Sequence, residues 1–407
     1  MPMDLHITVG PDKGEVFRVF ENEPLLIGRS RHAYHRLSDV KVSRVHCEVE
    51  MEDGQVHITD LDSAGGTFLN GTRIHDEYMQ MNDVLQIGDT QLRLKGATQT
   101  ADATRPSGAP PKQTVLTGER LQDLSGQTLS HFHVGKLHAR GQSGLIFEAR
   151  DFKDDSAVAL KVLFPAATRN AKELRRFVRS MRTVMPLRHP NLVTMLGAGK
   201  SGPYCWVAME FVEGESLTQV IQRIGVAGML DWRHGFRVAV HLAHALEYAH
   251  ENQIIHRNLT PQNIMVRKAD KVTKLGDLML AKAMEGALAE QLTRPGEILG
   301  DLRYMSPERT LGGSDVDGRS DLYSLGALVY AMMTGRPPFE GGSLVETIMK
   351  IRTGVPIKPK QFQMSIPDRF QGIVLKLLEK RPEDRFQTAT QLRKELDRVA
   401  KFSNVSS

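Results

Sequence analysis

The chain has 407 residues, 40% hydrophobic and 25% charged, a globular composition with room for two or three domains. Its two cysteines, Cys47 and Cys205, fall in segments that read as buried strands; they exclude a disulfide scaffold and argue against a metal cluster. No signal-peptide pattern opens the chain, and the best apolar run, Leu325 to Met333, is too short to span a bilayer, so a soluble, cytoplasmic protein without membrane contact is expected. The formal charge of +5 is unevenly spread: residues 1–97 carry 10 Lys/Arg against 16 Asp/Glu, and residues 129–407 carry 40 against 29. An acidic segment thus precedes a basic one, and the two can attract each other, although solvated surface is the favoured account of the split. No motif points to nucleic acid.

Residues 1–97 read as short strands between turns: Leu5 to Val9, Glu15 to Phe20, Gln55 to Thr59, Val84 to Ile87 and Gln91 to Lys95. Their alternation and regular turn spacing predict an all-β sandwich. Asn70-Gly71, between Thr67-Phe-Leu and Thr72-Arg-Ile, predicts a hairpin because both residues tolerate positive φ. Residues 98–128 turn to Thr, Pro, Gly, Ser and Gln, which predicts a flexible linker. About 30 coiled residues span roughly 30 Å. From Thr128 strands come first, notably Val158 to Leu163 and Trp206 to Val212, and helical patterns follow at Trp232 to His250 and Arg319 to Thr334. That order predicts an α+β, bilobal domain over 129–400, ahead of a tail at 401–407.

Five basic residues, Arg29, Arg31, Arg36, Lys41 and Arg44, cluster in the acidic segment with only Asp39 opposing them, a plausible phosphate site since Arg grips phosphate bidentately. Gly28-Arg29, Ser43-Arg44-Val45-His46 and Gly66-Thr67-Phe-Leu-Asn70-Gly71 together resemble the signature of a forkhead-associated (FHA) domain over about 90 residues. The resemblance implies a phosphothreonine reader in which Arg29 and Ser43 take the phosphate with Arg44 nearby, His46 braces a loop and Asn70 shapes a turn. One departure is Ser63-Ala-Gly-Gly-Thr67, where the family usually has Ser-Thr-Asn-Gly-Thr. Ala64 and Gly65 lack side chains that often touch the phosphopeptide. The partner implied is a phosphothreonine-containing protein. Alternatively it is the chain's own linker, phosphorylated by an upstream Ser/Thr kinase at Thr98, Thr100, Thr104, Thr114 or Thr117; Thr293 is a further acceptor.

Residues 129–400 resemble the eukaryotic-type Ser/Thr protein kinase family. Ala139-Arg-Gly141-Gln-Ser-Gly144 with Ile146 stands for the glycine-rich loop, Val158-Ala159-Leu-Lys161 for the strand of the phosphate-holding lysine, and Met209-Glu210-Phe-Val212 for gatekeeper and hinge. With Met265 these line the implied nucleotide site. Asn263 and Asp277 stand at the two magnesium-ligand positions, so ATP with Mg2+ is the implied cofactor. His189-Pro-Asn191, Met305-Ser-Pro-Glu308, Asp321 and Arg385 match the family's structural anchors.

The departures gather on phosphotransfer. The catalytic loop reads His256-Arg-Asn258-Leu-Thr260-Pro-Gln-Asn263, with Asn258 where the family has its Asp base and Thr260 in place of Lys. Asp277-Leu278-Met279 replaces Asp-Phe-Gly, and Gly300-Asp301 replaces a Gly-Thr pair. Ser180, nine residues before His189, sits where the lysine's glutamate partner belongs, and Glu173 is two turns away. The set implies a catalytically impaired pseudokinase acting as a phospho-dependent scaffold, with ATP binding weakened by Ser180 and Ala139. Two alternatives stand beside it: an active kinase in which Asp301 supplies the missing carboxylate, and a phosphopeptide adaptor without nucleotide. A basic stripe, Lys172, Arg175, Arg176, Arg179 and Arg182, is either a solvated face or a dock for an acidic partner.

Overall fold

The computed structural model describes residues 3–21, 24–29, 35–52, 54–96, 121–141, 143–164, 177, 181, 183–227, 231–278, 302–311 and 316–403. Two compact units make up the chain: Met1–Pro165 with Leu196–Phe211, and Ala166–Met195 with Val212–Ser407.

The first unit begins with eleven short strands: β1 (Met3–Val9), β2 (Val16–Val19), β3 (Leu25–Gly28), β4 (His35–Arg36), β5 (Cys47–Glu52), β6 (Gln55–Asp60), β7 (Thr67–Leu69), β8 (Thr72–Ile74), β9 (Asp76–Met79), β10 (Val84–Ile87) and β11 (Thr90–Gly96). They form two sheets, in the orders β2-β1-β11-β10-β7-β8 and β4-β3-β5-β6-β9. One side chain in two points inward along each strand, and Leu5, Ile7, Phe17, Ile27, Cys47, Val49, Ile58, Leu85 and Leu92 close one core. Burying each such large side chain contributes about 1.5–3 kcal/mol. The predicted hairpin joins β7 to β8, with Asn70 and Gly71 at φ 50° and 81° and Leu69 opposite Thr72. Two positive φ values define the turn whose twist matches paired strands.

A third sheet completes this unit: β12 (Thr128–Leu129), β13 (Phe132–Arg140), β14 (Gly144–Asp151), β15 (Ala157–Leu163), β16 (Met195–Ser201) and β17 (Tyr204–Glu210), ordered β12-β13-β14-β15-β17-β16. Phe132, Phe147, Leu160, Val162 and Trp206 lie in its core. The strand predicted over Trp206 to Val212 ends at Glu210, and Val212 lies beyond it. The tract expected to be linker is shorter at its C-terminal end. Leu121–Leu124 forms a 3-10 turn, and Leu124 is buried in this core. Residues 98–120 fall outside the described residues.

The second unit is mainly helical, with a three-stranded sheet ordered β18 (Gly214–Ser216), β19 (Ile264–Arg267), β20 (Thr273–Leu275). Its helices are α1 (Leu217–Ala227), α2 (Trp232–Glu251), α3 (Gly318–Thr334), α4 (Leu344–Thr353), α5 (Asp368–Leu377) and α6 (Ala389–Ser403). Asp231 caps α2 and Asp317 caps α3 through their carboxylates. The apolar run Leu325 to Met333 is the buried interior of α3, apolar all round because it is enclosed on all sides. Among the described residues no helix is long and apolar enough to cross a membrane.

Candidate functional site

The loop between β4 and β5 rests directly on the end of β3. A Cβ at Gly28 would stand 2.2 Å from the Arg44 carbonyl oxygen, a contact only glycine permits. Arg29 follows. Its N–H donates to the Ser43 carbonyl at 2.9 Å and its Nε to the Val42 carbonyl at 3.2 Å, so the exposed side chain folds back over the loop that carries Ser43. Ser43 Oγ accepts from the Ala64 N–H at 3.0 Å. The Ser43 N–H donates to His46 Nδ1 at 3.1 Å, which leaves the ring proton on Nε2 to donate to the Gly66 carbonyl at 3.2 Å. Burial pushes the His46 pKa down, so the ring is neutral. Asp60 ties the second loop by accepting from Ser63 Oγ and Thr67 Oγ1, both at 2.5 Å.

Two predicted phosphate residues, Arg29 and Ser43, therefore share one loop platform. The third, Arg44, is exposed and donates from Nη1 to the Lys153 carbonyl of the β14–β15 turn at 3.3 Å. Arg73 was not singled out by the sequence pattern. Its Nε would lie 2.8 Å from a Cβ on Gly66, which places a guanidinium at the loop that Ser43 also holds. The signal was its position two residues past the Asn70-Gly71 turn. Arg29 thus lies over the loop that carries Ser43, and Arg73 lies at Gly66 on the neighbouring loop. Lys41 is paired with Asp89 at 2.8 Å, Arg36 lies on β4, and Arg31 is outside the described residues.

In the β12–β17 sheet, register brings the nucleotide candidates into rows. Ala139 lies opposite Ile146, Ile146 opposite Lys161, and Ala159 opposite Met209, with Glu210 opposite Val158. The Gly141 N–H donates to the Gly144 carbonyl at 2.9 Å, which closes the β13–β14 loop. A Cβ at Gly144 would come 2.1 Å from the Val162 carbonyl oxygen, so this glycine lets the loop lie on β15. Lys161 is 1% exposed, and its Nζ lies 3.6 Å from the Cβ position of Gly141 in the β13–β14 loop.

In the second unit Asp321, 1% exposed, organises the catalytic loop. Its carboxylate accepts from the N–H groups of His256 at 2.8 Å and Arg257 at 2.7 Å, and from His250 Nε2 at 3.0 Å. Burial alone would raise its pKa; the bond from His250 and the backbone donors hold it below the usual value. His256 Nε2 donates to the Gly276 carbonyl at 2.8 Å, the Gly276 N–H donates to the Asn263 carbonyl at 2.7 Å, and Asn263 Nδ2 donates to the Asn258 carbonyl at 2.9 Å. One network thus joins Asn258, Asn263 and the residue before Asp277. Asp277 itself takes φ 62° and Arg257 φ 62°, left-handed conformations that cost energy and are held by this frame. Met265 lies on β19, and Val212 is buried. Asp301, Ser180, Glu173, Met279 and the basic stripe from Lys172 to Arg182 lie outside the described residues.

Among the described residues no group of three His, Cys, Asp or Glu stands ready to cage a metal. The donor set fits Mg2+ held jointly with phosphate. Asn263, its nitrogen committed to Asn258, offers oxygen, and Asp277 offers a carboxylate, the hard ligands that Mg2+ takes one or two at a time beside a nucleotide.

Fold and sites together define a protein kinase, and comparison with known proteins agrees. The protein kinase domain family matches residues 132–396, so the chain belongs to that family, and an FHA domain matches residues 25–88. Over 272 residues the chain is 34% identical to a protein of Clostridium perfringens named "Probable serine/threonine-protein kinase", covering 66% of this chain and 38% of that one. It is likewise 34% identical to the serine/threonine-protein kinase PknB of Mycobacterium leprae, covering 66% of this chain and 43% of PknB. The chain therefore spans about two fifths of the length of the curated relatives it matches. The crystal structure of the Mycobacterium tuberculosis PknI kinase domain superposes with a TM-score of 0.52 at 25% identity, covering 67% of this chain and 98% of that one.

Proposed function

We propose that this FHA-carrying Ser/Thr kinase homologue is a catalytically impaired kinase that reads phosphothreonine and binds Mg-ATP, acting as a phospho-dependent scaffold or regulator. One observation carries the reading. Asn258 stands at the base position of a loop whose supporting frame, His256, Asp321, Asn263 and Gly276, is otherwise fully bonded. An amide orients a hydroxyl but accepts no proton from it at neutral pH. Lys161 would hold the nucleotide's phosphates, with Asn263 and Asp277 holding Mg2+, which supplies charge neutralisation at the phosphates. Arg29 and Ser43, with Arg73 on the neighbouring loop at Gly66, would take the phosphate of a phosphothreonine protein.

The test is transfer of labelled phosphate from Mg-ATP to a generic protein substrate by the purified chain. General-base loss lowers rates by about 10²- to 10⁴-fold, so near-background transfer is expected. Robust transfer that disappears in Asp301→Asn would replace this reading with that of an active kinase using a displaced carboxylate.

A further inference from the structure

The strand β5 alternates in the ordinary way. Cys47, Val49 and Met51 face the sandwich core, which sends Glu48 and Glu50 to the outer face of the sheet β4-β3-β5-β6-β9. An outer row of glutamates should be wet, yet Glu48 is 5% exposed and Glu50 6%. What covers them is the kinase small-lobe sheet of the same unit. Ser201 Oγ reaches Glu48 Oε2 at 3.3 Å, Ser130 is the second hydroxyl bonded to Glu48, and Gly202 lies 3.7 Å from Glu50 Oε1 by its Cβ position. Beside the glutamates, Phe152 of the β14–β15 turn packs on an apolar cluster of Leu26, Val45 and Leu61.

We propose that the outer face of this FHA sheet is a docking surface for the chain's own kinase small lobe, and that docking takes up a proton at the Glu48–Glu50 pair. The covering groups that bond Glu48 are hydroxyls. Of the groups on the packed elements, β6 brings His57, which lies opposite Glu50 and pairs with Asp76 of β9 at 2.6 Å. The small lobe brings His131, Asp151, Lys153 and, next to Ser201, the exposed Lys200. His131 is buried, held neutral by that burial, and bonded to Ser130 Oγ at 3.2 Å. Asp151 Oδ2 stands 3.7 Å from His131 Nε2, beyond hydrogen-bond reach, and the Lys153 carbonyl is occupied by Arg44. Burial, then the neighbouring charge of Glu50, pushes the Glu48 pKa up to about 8, against weaker opposing pulls from the Ser130 and Ser201 hydroxyls and then His57.

The sign follows. On an undocked face Glu48 would titrate near its ordinary value of about 4.3. Below that value it is protonated in both states and docking is at full strength. As pH rises toward the docked value, docking must retain a proton that the free face releases, so it weakens; above the docked value it weakens no further. For one proton the docking equilibrium falls by up to about tenfold per pH unit in this window.

The test uses hydrogen exchange in the full-length chain, corrected for intrinsic rate, followed over residues 47–52 and 198–204 at pH 6 and pH 8. Wild type should protect both segments more at pH 6, Glu48→Gln should protect them equally at both values, and Phe152→Asp should lose protection at both while keeping a cooperative melt. Equal wild-type protection at the two pH values, or a Glu48→Gln chain that follows the wild-type pH dependence, would overturn the proposal. This outcome is independent of whether the FHA site binds phosphothreonine or the kinase site binds ATP.

Discussion

The side-chain amide of Asn263 is bound to the backbone of Asn258, Nδ2 to carbonyl oxygen at 2.9 Å. The same side chain is the candidate metal ligand, so the bond selects which end faces a cation: the nitrogen is committed and the oxygen remains. Asn263→Leu removes both roles. Melting of the chain with ATP should then lose the part of its shift that depends on Mg2+, with an affinity loss of at least about tenfold, or 1.4 kcal/mol. The Mg2+-independent part, due to Lys161 and the hinge, should survive. An unchanged response to Mg2+ in Asn263→Leu would remove residue 263 from the metal site.

Lys161 carries the second expectation. It is fully enclosed beneath Gly141, in the row with Ile146 and Ala139. Ligand at 100 times its dissociation constant stabilises by about 2.7 kcal/mol, so millimolar Mg-ATP should raise the melting temperature and Lys161→Met should abolish the rise. Wild-type protein that does not respond to Mg-ATP would indicate a phosphopeptide adaptor without nucleotide. Asn258→Asp alone should restore little transfer, since Thr260 and Asp301 still replace the lysine and threonine of the family pattern.

What was legible in the sequence was local. Asn70-Gly71 announced its hairpin because two consecutive positive φ values restrict the residue types, and Asp321 and Arg385 announced their anchors because each bonds loop backbone that the fold must fix. Glu48 and Glu50 were not legible. Their i, i+2 spacing is what a solvent-facing row looks like, and nothing in the strand records that another sheet covers it. The acidic and basic segments do meet, but at this face through serine hydroxyls and a phenylalanine, which net charge does not predict. Arg73 was missed for a related reason: its importance comes from the turn that folds it over Gly66.

Stability of the helical unit should depend on Arg385. Its guanidinium, 0% exposed, makes two bonds of 2.8 Å with Glu308 and others with the carbonyls of Glu379, Lys380 and Arg319. Removing one partner of such a pair leaves the other unpaired, and Arg385→Ala should cost about 3–5 kcal/mol, read as a lower urea midpoint. Burial works to raise the Glu308 pKa, but the bond and charge of Arg385 win and hold it below its ordinary value. The pair's contribution is therefore present above the ordinary carboxylate value and lost as pH falls through the depressed one. Arg385→Ala should flatten that acid limb; a limb of unchanged steepness would mean that Glu308 does not titrate with unfolding.

The last prediction concerns the linker threonines and the FHA site. Thr98, Thr100, Thr104, Thr114 and Thr117 follow directly on the FHA strands. Once phosphorylated by a separate kinase, each would face Arg29 and Ser43 at an effective concentration of roughly millimolar, set by the short tether. At that concentration a site of micromolar affinity is nearly filled in cis. Arg29 and Arg73 would provide the charge, while the Ser43 hydroxyl, already accepting from Ala64, is oriented to donate to a phosphate oxygen. Arg44 separates binding from docking. Its bond to the Lys153 carbonyl belongs to the docked arrangement, so a phosphate that recruited Arg44 would weaken docking, and one that ignored it would not. The measurement is titration of five synthetic linker peptides, each with one phosphothreonine, into the full-length chain. At least one should bind, and Arg29→Ala with Ser43→Ala should weaken it by about tenfold or more, as expected for losing charge-assisted bonds of about 1.5–3 kcal/mol each. Arg44→Ala should leave that affinity unchanged if the phosphate rests on Arg29 and Ser43 alone. Binding by none of the five peptides, or binding that survives the double substitution, would end the cis reading and leave a phosphothreonine on another protein as the ligand to seek.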